Sequence, residues 1–384
     1  MSEMATFDIE RDDLSSLLQE GCTFVALGEV MVRDTPADSE RPERTRLVHL
    51  SMAGSEYSVA IGLARLGIPS AYVTRVPDNS YGRAARNIAR ENGVNTDYFV
   101  WAPRTDLMGR MICELGHTPR QDMVVYQRKY SAASQLDAGM VDWKNALTGT
   151  KLFHTSGITF GIAAHSQYER NYNLSAFNES MSNKPRDCLV AMDWNYRSTL
   201  WSLERAREVM APILENHVDI LVTTVFDMAQ FYGLSCGKYS AAQVLTGAAG
   251  AFDDDDLRKL AEQIQNKFNV RIVGITLRRA DSFEQHRWEA FALNDQGHYF
   301  RSPGVNPMTV IDRLGGGDAW TAGFYYGILT GGLGEEGITK GVLVGDACTR
   351  LKHTLMFDLP ILDRGEVSRQ LKESLTGTPV RISR

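Results

Sequence analysis

The feature that most restricts the chemistry of this chain is a run of three glycines, Gly315 to Gly317, directly before Asp318. Small and apolar residues follow at helical spacing, which predicts that a helix begins at this run. Glycines let backbone N–H groups approach a ligand closely, because no Cβ stands in the way. A helix N-terminus adds unpaired N–H donors and a partial positive charge. The run therefore predicts an anion hole suited to a phosphate or to a phosphoryl group in transfer.

Asp318 stands at the mouth of this predicted anion hole. A carboxylate there repels an anion, so pure anion binding does not explain it. It makes sense as a base that takes a proton from a hydroxyl attacking the phosphorus. The simpler alternative is a glycine turn closed by an Asp that caps the helix.

Apolar strand patterns alternate with helical patterns along most of the chain, and this alternation predicts a parallel sheet with helices on both faces. We expect an opening buried strand, two helices and a late apolar strand at Cys22–Val32, Val59–Leu66, Gln167–Met181 and Val270–Leu277. Polar residues cluster after three of the predicted strands, at Asp193–Arg197, Thr224–Asp227 and Thr276–Arg278. In sheets of this kind the ligand lies at the carboxyl ends of the strands.

Composition narrows the class of protein. The chain has 384 residues, 43% hydrophobic and 23% charged, which is ordinary for a globular protein. The net charge of −6 and the absence of a basic tract argue against nucleic acid as a partner. Five scattered cysteines without a C-x-x-C pairing predict a reducing, cytoplasmic location. We find no signal-peptide pattern and no apolar run of membrane-spanning length. The acidic run Asp253–Asp256 is expected to cap the helix Leu257–Phe268.

The run from Asp312 to Phe324, Asp-x-x-Gly-Gly-Gly-Asp-(x)4-Gly-Phe, resembles the C-terminal signature of the ribokinase-like (PfkB) carbohydrate kinases. Its Asp-Arg-x-Gly-Gly-Gly-Asp form resembles the 2-keto-3-deoxygluconate kinase branch. The resemblance implies an α/β ribokinase-like fold, with a central mostly parallel sheet, helices on both faces and a small β-sheet lid. We expect an N-terminal extension at 1–22, a kinase domain at 23–375 and inserted lid segments at about 33–52 and 102–130, which are more polar and alternating than the rest.

The resemblance also implies ATP and Mg²⁺ as cofactors, with Asp318 as catalytic base. Gly315, Gly316 and Gly317 would form the anion hole for the γ-phosphoryl group, and Gly315 and Gly317 would also contact the nucleotide. Thr276 and Arg278 stand where the family places residues near the ATP phosphates or ribose, and Arg278–Ser282 lacks the glycine-rich turn of broader ribokinase relatives.

One acidic residue is a candidate for contact with the metal. Thr224 and Asp227 replace the family's Asn-x-x-Glu, which shapes the water shell of Mg²⁺. Asp227 therefore has an expected role in the outer shell of the metal. A helix cap at Asp227 is the alternative.

On the substrate side, Gly54 precedes a predicted helix, where backbone donors could hold sugar hydroxyls. The alternative is a helix-entry turn capped by Ser55 or Ser58. The family usually has Gly-Gly-x-x-x-Asn, whereas Ala53 and Ser58 take the places of the first glycine and the asparagine. A serine has one donor and a shorter reach than an amide, so these departures bear on the identity of the substrate.

Three further residues are predicted to bind the substrate. The segment Tyr126–Ala132 resembles the family segment Tyr-x-Arg-x-x-Ser-Ala, in which the Tyr and the Arg touch the substrate. Tyr126, Arg128 and Arg197 are therefore our candidates for binding a sugar acid. A planar guanidinium pairs with a carboxylate in bidentate fashion, which favours an acid over a neutral sugar.

These observations predict an ATP-dependent kinase that phosphorylates a sugar acid, with 2-keto-3-deoxygluconate as the lead candidate. One alternative is a kinase of a neutral sugar such as fructose, or of a nucleoside, on the same fold. Another is a catalytically idle sugar- or nucleotide-binding relative. Lids of this type often pair between subunits in the family, so we expect a homodimer and no membrane or nucleic-acid partner.

Overall fold

The structure is a computed structural model that describes residues 7–376, apart from residues 19, 118, 165–169, 281–284 and 304–307. The strands are β1 (Phe24–Leu27), β2 (Met31–Pro36), β3 (Val48–Ala53), β4 (Ser70–Pro77), β5 (Val94–Asn95), β6 (Phe99–Ala102), β7 (Gly109–Glu114), β8 (Met123–Gln127), β9 (Leu152–Ser156), β10 (Leu189–Asp193), β11 (Ile220–Thr223), β12 (Ile272–Ala280), β13 (Gln285–Asn294), β14 (Tyr299–Arg301) and β15 (Met308–Thr309). The α-helices are α1 (Ser55–Arg65), α2 (Ser80–Glu91), α3 (Trp143–Ala146), α4 (Gly157–Ala163), α5 (Tyr172–Asn183), α6 (Leu203–His217), α7 (Val225–Tyr232), α8 (Ala241–Leu245), α9 (Asp254–Phe268), α10 (Gly316–Gly331), α11 (Glu335–Lys352) and α12 (Arg364–Thr376).

Most strands form one large sheet in the order β14-β13-β12-β11-β10-β9-β1-β4-β5, with β15 beside β13 and β6 beside β4. The pairs from β12 through β5 are parallel, whereas β13 and β14 add an antiparallel edge. The predicted mostly parallel sheet is therefore confirmed. Within the described residues, none of the helices has both the length and the hydropathy needed to cross a membrane.

Helices cover both faces of the large sheet because its central strands are apolar on both sides. Phe24 and Ala26 of β1 join one apolar core, while Val25 and Leu27 join the other. The first core contains residues of α1, α10 and α11, and the second contains residues of α4, α6 and α9. This arrangement explains why the strands read as continuous apolar runs in the sequence.

Four strands form a separate small sheet in the order β3-β2-β7-β8. Its register places the apolar Val48, Leu50, Ile112, Met123 and Val125 on one face, which we call the outer face, together with the charged Asp34, Arg110 and Glu114. Val48, Leu50, Met123 and Val125 are 44%, 47%, 51% and 47% exposed, so the apolar part of this face is uncovered in the single chain. The inner face carries Arg33, Met111 and Tyr126 and packs toward the glycine run.

The prediction of one opening strand at Cys22–Val32 is wrong, because this segment contributes to two strands, β1 and β2. The break falls at Gly28, where a Cβ would lie only 2.3 Å from Glu56 Oε2. Helix α1 begins at Ser55, four residues before the predicted start. Helix α5 begins at Tyr172, and residues 167–169 of the predicted helix lie outside the described residues.

The predicted cap by the acidic run is confirmed at Asp253, but the helix begins at Asp254, three residues before the predicted Leu257. Asp253 is the N-cap residue of α9, and its side chain accepts a hydrogen bond from the backbone N–H of Asp256. The side chain of Asp256 accepts in turn from the backbone N–H of Asp253, which completes a capping box.

The N-terminal segment packs on the last helices. The described part of residues 1–22 contains two short 3-10 turns rather than an α-helix. Its Asp12 Oδ2 accepts a hydrogen bond from Tyr326 Oη at 2.6 Å and lies 2.7 Å from Lys340 Nζ. Arg364 Nε donates to Ile9 O at 2.7 Å. Residues 1–6 and 19 lie outside the described part of the chain.

Helices α10 and α11 approach each other through glycines. A Cβ on Gly327 would lie 2.2 Å from the Cα of Gly341, and one on Gly323 would lie 2.7 Å from the Cα of Gly345. Larger residues at these positions would push the two helices apart. The small-residue pattern after the glycine run therefore fixes where the N-terminus of α10 lies.

Candidate active site

The three glycines of the run differ in whether the structure around them leaves room for a side chain. Gly315 is the N-cap of α10 with φ 76°, and a Cβ there would lie 2.0 Å from Asp358 O. A Cβ on Gly316 would lie 2.4 Å from His353 Cε1. A Cβ on Gly317 would have no neighbouring atom within 4 Å. The first two glycines are therefore required by backbone conformation or packing, whereas Gly317 borders open space.

A buried cluster of charged residues fixes the segment that directly precedes the glycine run. Arg33 of β2 donates from Nη2 to Asp312 Oδ2 at 2.5 Å and from Nη1 to Asp358 Oδ1 at 2.7 Å. Asp312 Oδ1 accepts from the backbone N–H of Leu314 at 3.0 Å, directly before the glycines. Lys352 Nζ donates to the backbone carbonyl of Asp312 at 3.2 Å. The run is therefore attached to the small sheet through Arg33.

Asp318 is the third residue of α10 and accepts a hydrogen bond at Oδ1 from Ser55 Oγ at 2.6 Å. The alternative that Asp318 caps the helix is wrong, because Gly315 is the N-cap and no side chain caps this end. Burial raises the pKa of Asp318 to about 6, although the hydrogen bond from Ser55 acts in the opposite direction. At pH 7 the side chain is ionised and basic enough to accept a proton.

A cleft of about 840 Å³ lies beside Asp318, at the carboxyl ends of β10, β11 and β12. It brings together the predicted residues Arg197, Asp227, Thr276, Arg278, Gly315, Gly317 and Asp318. Gly316 does not line this cleft, because its Cα faces His353. The cleft lies where a ligand is expected in a sheet of this topology.

Arg197 lies exposed in the cleft. Its Nη1 donates to the backbone carbonyl of Tyr196 at 3.2 Å, and within the described residues it forms no ion pair with a carboxylate. Its positive charge nevertheless favours the ionised forms of Asp193, Asp227 and Asp318. It therefore opposes the rise in pKa that burial causes in each of them. The guanidinium is therefore available to an anionic group that enters the cleft.

Asp193, at the end of β10, also has a strongly perturbed carboxyl group in the cleft. Burial, together with the charge of Asp318, raises its pKa to about 8. Its neutral form is therefore favoured at pH 7. Asp193 was not among the residues with a role predicted from the sequence, although an aspartate at the end of a buried strand is a recognisable signal.

Thr224 and Asp227 form a helix cap at the border of the cleft. Thr224 is the N-cap of α7, with Oγ1 accepting from the backbone N–H of Asp227 at 3.1 Å and donating to Asp227 Oδ2 at 2.7 Å. The alternative of a helix cap is therefore correct for this segment, but the capping residue is Thr224 and not Asp227. Asp227 lines the cleft, and burial raises its pKa. It stays a candidate for contact with metal-bound water.

Thr276 and Arg278 lie within β12 rather than after it, because this strand extends to Ala280 in a hairpin with β13. Thr276 pairs with Ala290 across the hairpin. Both predicted residues line the cleft. The position of the missing glycine-rich turn includes residues 281 and 282, which lie outside the described residues.

Gly54 lies at the entry to α1 and packs against the segment between β1 and β2. A Cβ at this position would lie 2.4 Å from the backbone carbonyl of Glu29. Neither Ser55 nor Ser58 caps α1, so the capping alternative for this segment is wrong. Ser58 is buried and its Oγ has no hydrogen-bond partner in the described part of the chain, whereas Ser55 points to Asp318.

Tyr126 and Arg128 do not line the cleft of Asp318. They line a second cavity of about 580 Å³ beside the small sheet. Arg128 is 5% exposed, and its Nε donates to the buried Glu29 Oε2 at 2.7 Å. Its guanidinium lies 5.4 Å from the ring centre of Tyr126. The charge of Arg128 is therefore already neutralised within the protein. An acidic residue at position 29, beside an otherwise apolar strand, was the available signal.

The residues of the cleft fit a nucleotide and its metal ion. Gly317 leaves room for a phosphate beside the first N–H groups of α10. Within the described residues, no group of three or more His, Cys, Asp or Glu side chains could hold a metal ion. Nucleotide-bound Mg²⁺ does not need such a cage, since it uses phosphates, waters and one or two carboxylates. Asp227, which lines the cleft, is the candidate carboxylate.

A glycine run at a helix N-terminus, a basic carboxylate and a cleft at the strand ends are the parts of a phosphotransferase. Residues 23–361 match the family described as pfkB family carbohydrate kinase, over most of the chain. The chain belongs to this family and is a carbohydrate kinase, as the sequence analysis predicted.

Several known proteins are similar over nearly the whole chain. A 2-dehydro-3-deoxygalactonokinase of Haloferax volcanii is 28% identical over 351 residues, covering 91% of this chain and 96% of its own length. A 5-dehydro-2-deoxygluconokinase of Shouchella clausii is 25% identical over 321 residues, covering 82% and 86%. The crystal structure of a 2-dehydro-3-deoxygluconokinase from Thermotoga maritima has a TM-score of 0.79 and 29% identity, covering 92% of this chain and 99% of that one.

Alanine substitutions at Gly315 and Gly317 are expected to have different effects on stability and on ATP binding. Gly317→Ala keeps the folding stability, but the added methyl group occupies the place of a phosphate and weakens ATP binding about ten-fold or more. Gly315→Ala instead destabilises the fold by at least about 1 kcal/mol, because its φ is positive and Asp358 O is too close. Thermal unfolding and calorimetric ATP titration of both variants measure this. Wild-type ATP affinity in Gly317→Ala would contradict the assignment.

Proposed function

We propose that this carbohydrate kinase transfers the γ-phosphoryl group of ATP to a hydroxyl of a 2-keto-3-deoxy sugar acid, with 2-keto-3-deoxygluconate as the lead substrate. The observation that carries the proposal is the position of Asp318 beside the glycine run, with its pKa raised to about 6. The similar proteins from Haloferax volcanii and Thermotoga maritima, whose names give 2-dehydro-3-deoxy sugar-acid substrates, support the substrate class.

The residues of the cleft have separable roles in this reaction. Asp318 takes the proton of the attacking hydroxyl as the new O–P bond forms and the bond to the leaving ADP breaks. The backbone N–H groups at Gly315 to Gly317 and the positive end of α10 stabilise the charge of the transferred group. Mg²⁺, when bound with the nucleotide, neutralises phosphate charge. Thr276 and Arg278 border the nucleotide end of the cleft, and Asp227 orients water near the phosphates.

Arg197 is the main residue that binds the carboxylate of the substrate in this proposal. Its guanidinium is exposed in the cleft and, among the described residues, has no carboxylate partner, in contrast to Arg128. Tyr126 and Arg128 line the second cavity, so neither is assigned to the carboxylate, and Gly54 lines neither of the two cavities. A neutral sugar would leave the Arg197 guanidinium without a partner, which is why we place a neutral-sugar kinase second.

The catalytically idle alternative is weaker for a different reason. A protein that only binds sugar or nucleotide has no need for a carboxylate beside the phosphate site, since its charge disfavours the anion. Asp318 is held there by the hydrogen bond from Ser55. An ADP-release assay over sugars and sugar acids separates the alternatives directly.

The role of Asp318 as base predicts the behaviour of Asp318→Asn. The amide keeps the shape and the folding stability but cannot take the proton, so kcat falls about 10²- to 10⁴-fold while ATP binding is retained. In the wild type, kcat/KM falls as the pH drops below about 6, because the carboxylate becomes protonated. Turnover by coupled ADP release and ATP affinity by calorimetry test this. Unchanged turnover in the variant would remove Asp318 from the chemistry.

The role of Arg197 predicts a change in selectivity. Arg197→Ala lowers kcat/KM for 2-keto-3-deoxygluconate about 10- to 100-fold, while activity on a neutral sugar changes little, because only the acid loses a charged hydrogen bond. Arg205→Ala, on the exposed face of α6, is the matched control. Arg128→Ala should instead reduce folding stability, because it leaves Glu29 buried and unpaired. Equal losses for acid and neutral sugar would refute the assignment of Arg197.

The small sheet is proposed to act as a lid over the cleft and as a dimer contact through its outer face. An uncovered apolar face on a sheet favours pairing with a second copy. The double substitution Leu50→Glu and Val125→Glu, which places charges on this face, is expected to give a monomer in sedimentation velocity. Ile361→Glu, which changes an exposed residue elsewhere, serves as the control. A wild-type monomer at micromolar concentration would contradict the proposal.

A further inference from the structure

Three side chains from separate parts of the fold form a short chain of hydrogen bonds that ends at Asp318. Asn195 follows β10, Ser55 begins α1, and Asp318 lies in the first turn of α10. Asn195 Nδ2 donates to Ser55 Oγ at 3.1 Å, and Ser55 Oγ donates to Asp318 Oδ1 at 2.6 Å. The second bond is shorter than is typical between a hydroxyl and a neutral acceptor, as expected when the acceptor is a charged carboxylate.

The direction of the chain follows from the chemistry of the three groups. An ionised carboxylate only accepts, so the single hydrogen of the Ser55 hydroxyl is directed to Asp318. Ser55 can then only accept from Asn195, which must present its NH₂ group. Oδ1 of Asp318 is thereby occupied. Oδ2 accepts no hydrogen bond within the described residues and is left for the hydroxyl of a substrate.

Asn195 is itself held in place. Its φ of 37° lies in the left-handed region, which Asn adopts more readily than most residues. The preceding Trp194 is fully buried, its backbone N–H donates to Val222 O at 2.9 Å, and its ring lies 4.8 Å from that of Phe231. The amide of Asn195 thus projects from an anchored backbone and not from a free loop.

We propose that Ser55 and Asn195 are positioning residues, which fix the carboxylate of Asp318 so that Oδ2 faces the incoming hydroxyl. The proposal rests on the proposed function, in which Asp318 is the base. Asn195 lines the cleft, but in this proposal neither residue bonds to the reacting atoms. Ser55 acts on the orientation of the base, and Asn195 acts through Ser55.

The charges around Asp318 determine what the loss of this bond would do to its acidity. Arg197, beyond β10, lowers the pKa of Asp318, whereas Glu56 of α1 and Asp358, after α11, raise it. Asp193, at the end of β10, interacts electrostatically with Asp318. Burial is the largest influence, and the bond from Ser55 opposes it most. Removal of the Ser55 hydroxyl therefore raises the pKa of Asp318 above its value of about 6.

The test compares Ser55→Ala, Ser55→Thr and Asn195→Gly. Glycine is chosen at 195 because it removes the amide without straining a backbone at positive φ. In Ser55→Ala we expect kcat to fall about ten-fold and the acid limb of kcat/KM to move up by about one pH unit, with ATP affinity unchanged. Ser55→Thr keeps the hydroxyl and should restore the position of the limb. Asn195→Gly should shift the limb in the same direction by a smaller amount.

The double variant Ser55→Ala with Asn195→Gly is the critical measurement. If Asn195 acts through Ser55, the double variant is no worse than Ser55→Ala alone. Additive losses would overturn the relay, as would an acid limb in Ser55→Ala at the wild-type pH. A threonine variant that behaves like the alanine variant would assign the effect to volume and also overturn it. Ser180→Ala, which removes a buried hydroxyl of α5 that donates only to Phe177 O, is the matched control.

A readout without turnover separates this proposal from the proposed function. The titration of Asp318 can be followed by carboxyl-carbon NMR, with Asp318→Asn identifying the signal. A signal that titrates near pH 6 in the wild type and at higher pH in Ser55→Ala supports the relay, even if no sugar acid is phosphorylated. The same midpoint in both proteins overturns it, even if the wild type is an active kinase.

Discussion

The buried cluster of Arg33, Asp312, Asp358 and Lys352 is the interaction on which the site depends most. Arg33 is fully buried and bridges two carboxylates that are 279 and 325 residues away in sequence. Loss of one partner from a buried ion pair costs about 3–5 kcal/mol, because a charge is left uncompensated. This cluster fixes the loop before the glycines, and it joins that loop to β2 of the small sheet. A movement of the small sheet is therefore mechanically connected to the anion hole.

Burial has the largest effect on the pKa of Asp318, although two favourable interactions oppose it. The N-terminus of α10 favours a negative charge by about 0.3–1 kcal/mol, and the hydroxyl of Ser55 adds a further stabilisation. Both lower the pKa, yet desolvation and the charges of Glu56 and Asp358 raise it to about 6. The result is a group that is ionised at neutral pH and still basic. A fully solvated aspartate, with a pKa about two units lower, would be a weaker proton acceptor.

Sequence reasoning was most successful where the signal is local. The glycine run, the helix after it and the alternation of strands and helices each depend on neighbouring residues, and all were predicted. The pairing of Arg128 could not be predicted, because its sequence context is the same whether its partner is a substrate or Glu29. The same holds for Ser55, whose partner Asp318 lies 263 residues away. The break between β1 and β2 was missed because Gly28 and Glu29 are explained only by contacts with Glu56, Arg128 and Ser131.

The protonation of Asp193 bears on which substrates the cleft can accept. If Asp193, Asp227 and Asp318 were all ionised, Arg197 would be their common counter-ion, and a sugar acid would add a fourth negative charge. With its pKa raised to about 8, Asp193 favours its neutral form at pH 7 and has less need of a counter-ion. Arg197 then has fewer ionised neighbours, and in the proposed function more of its charge is available to the carboxylate of a substrate.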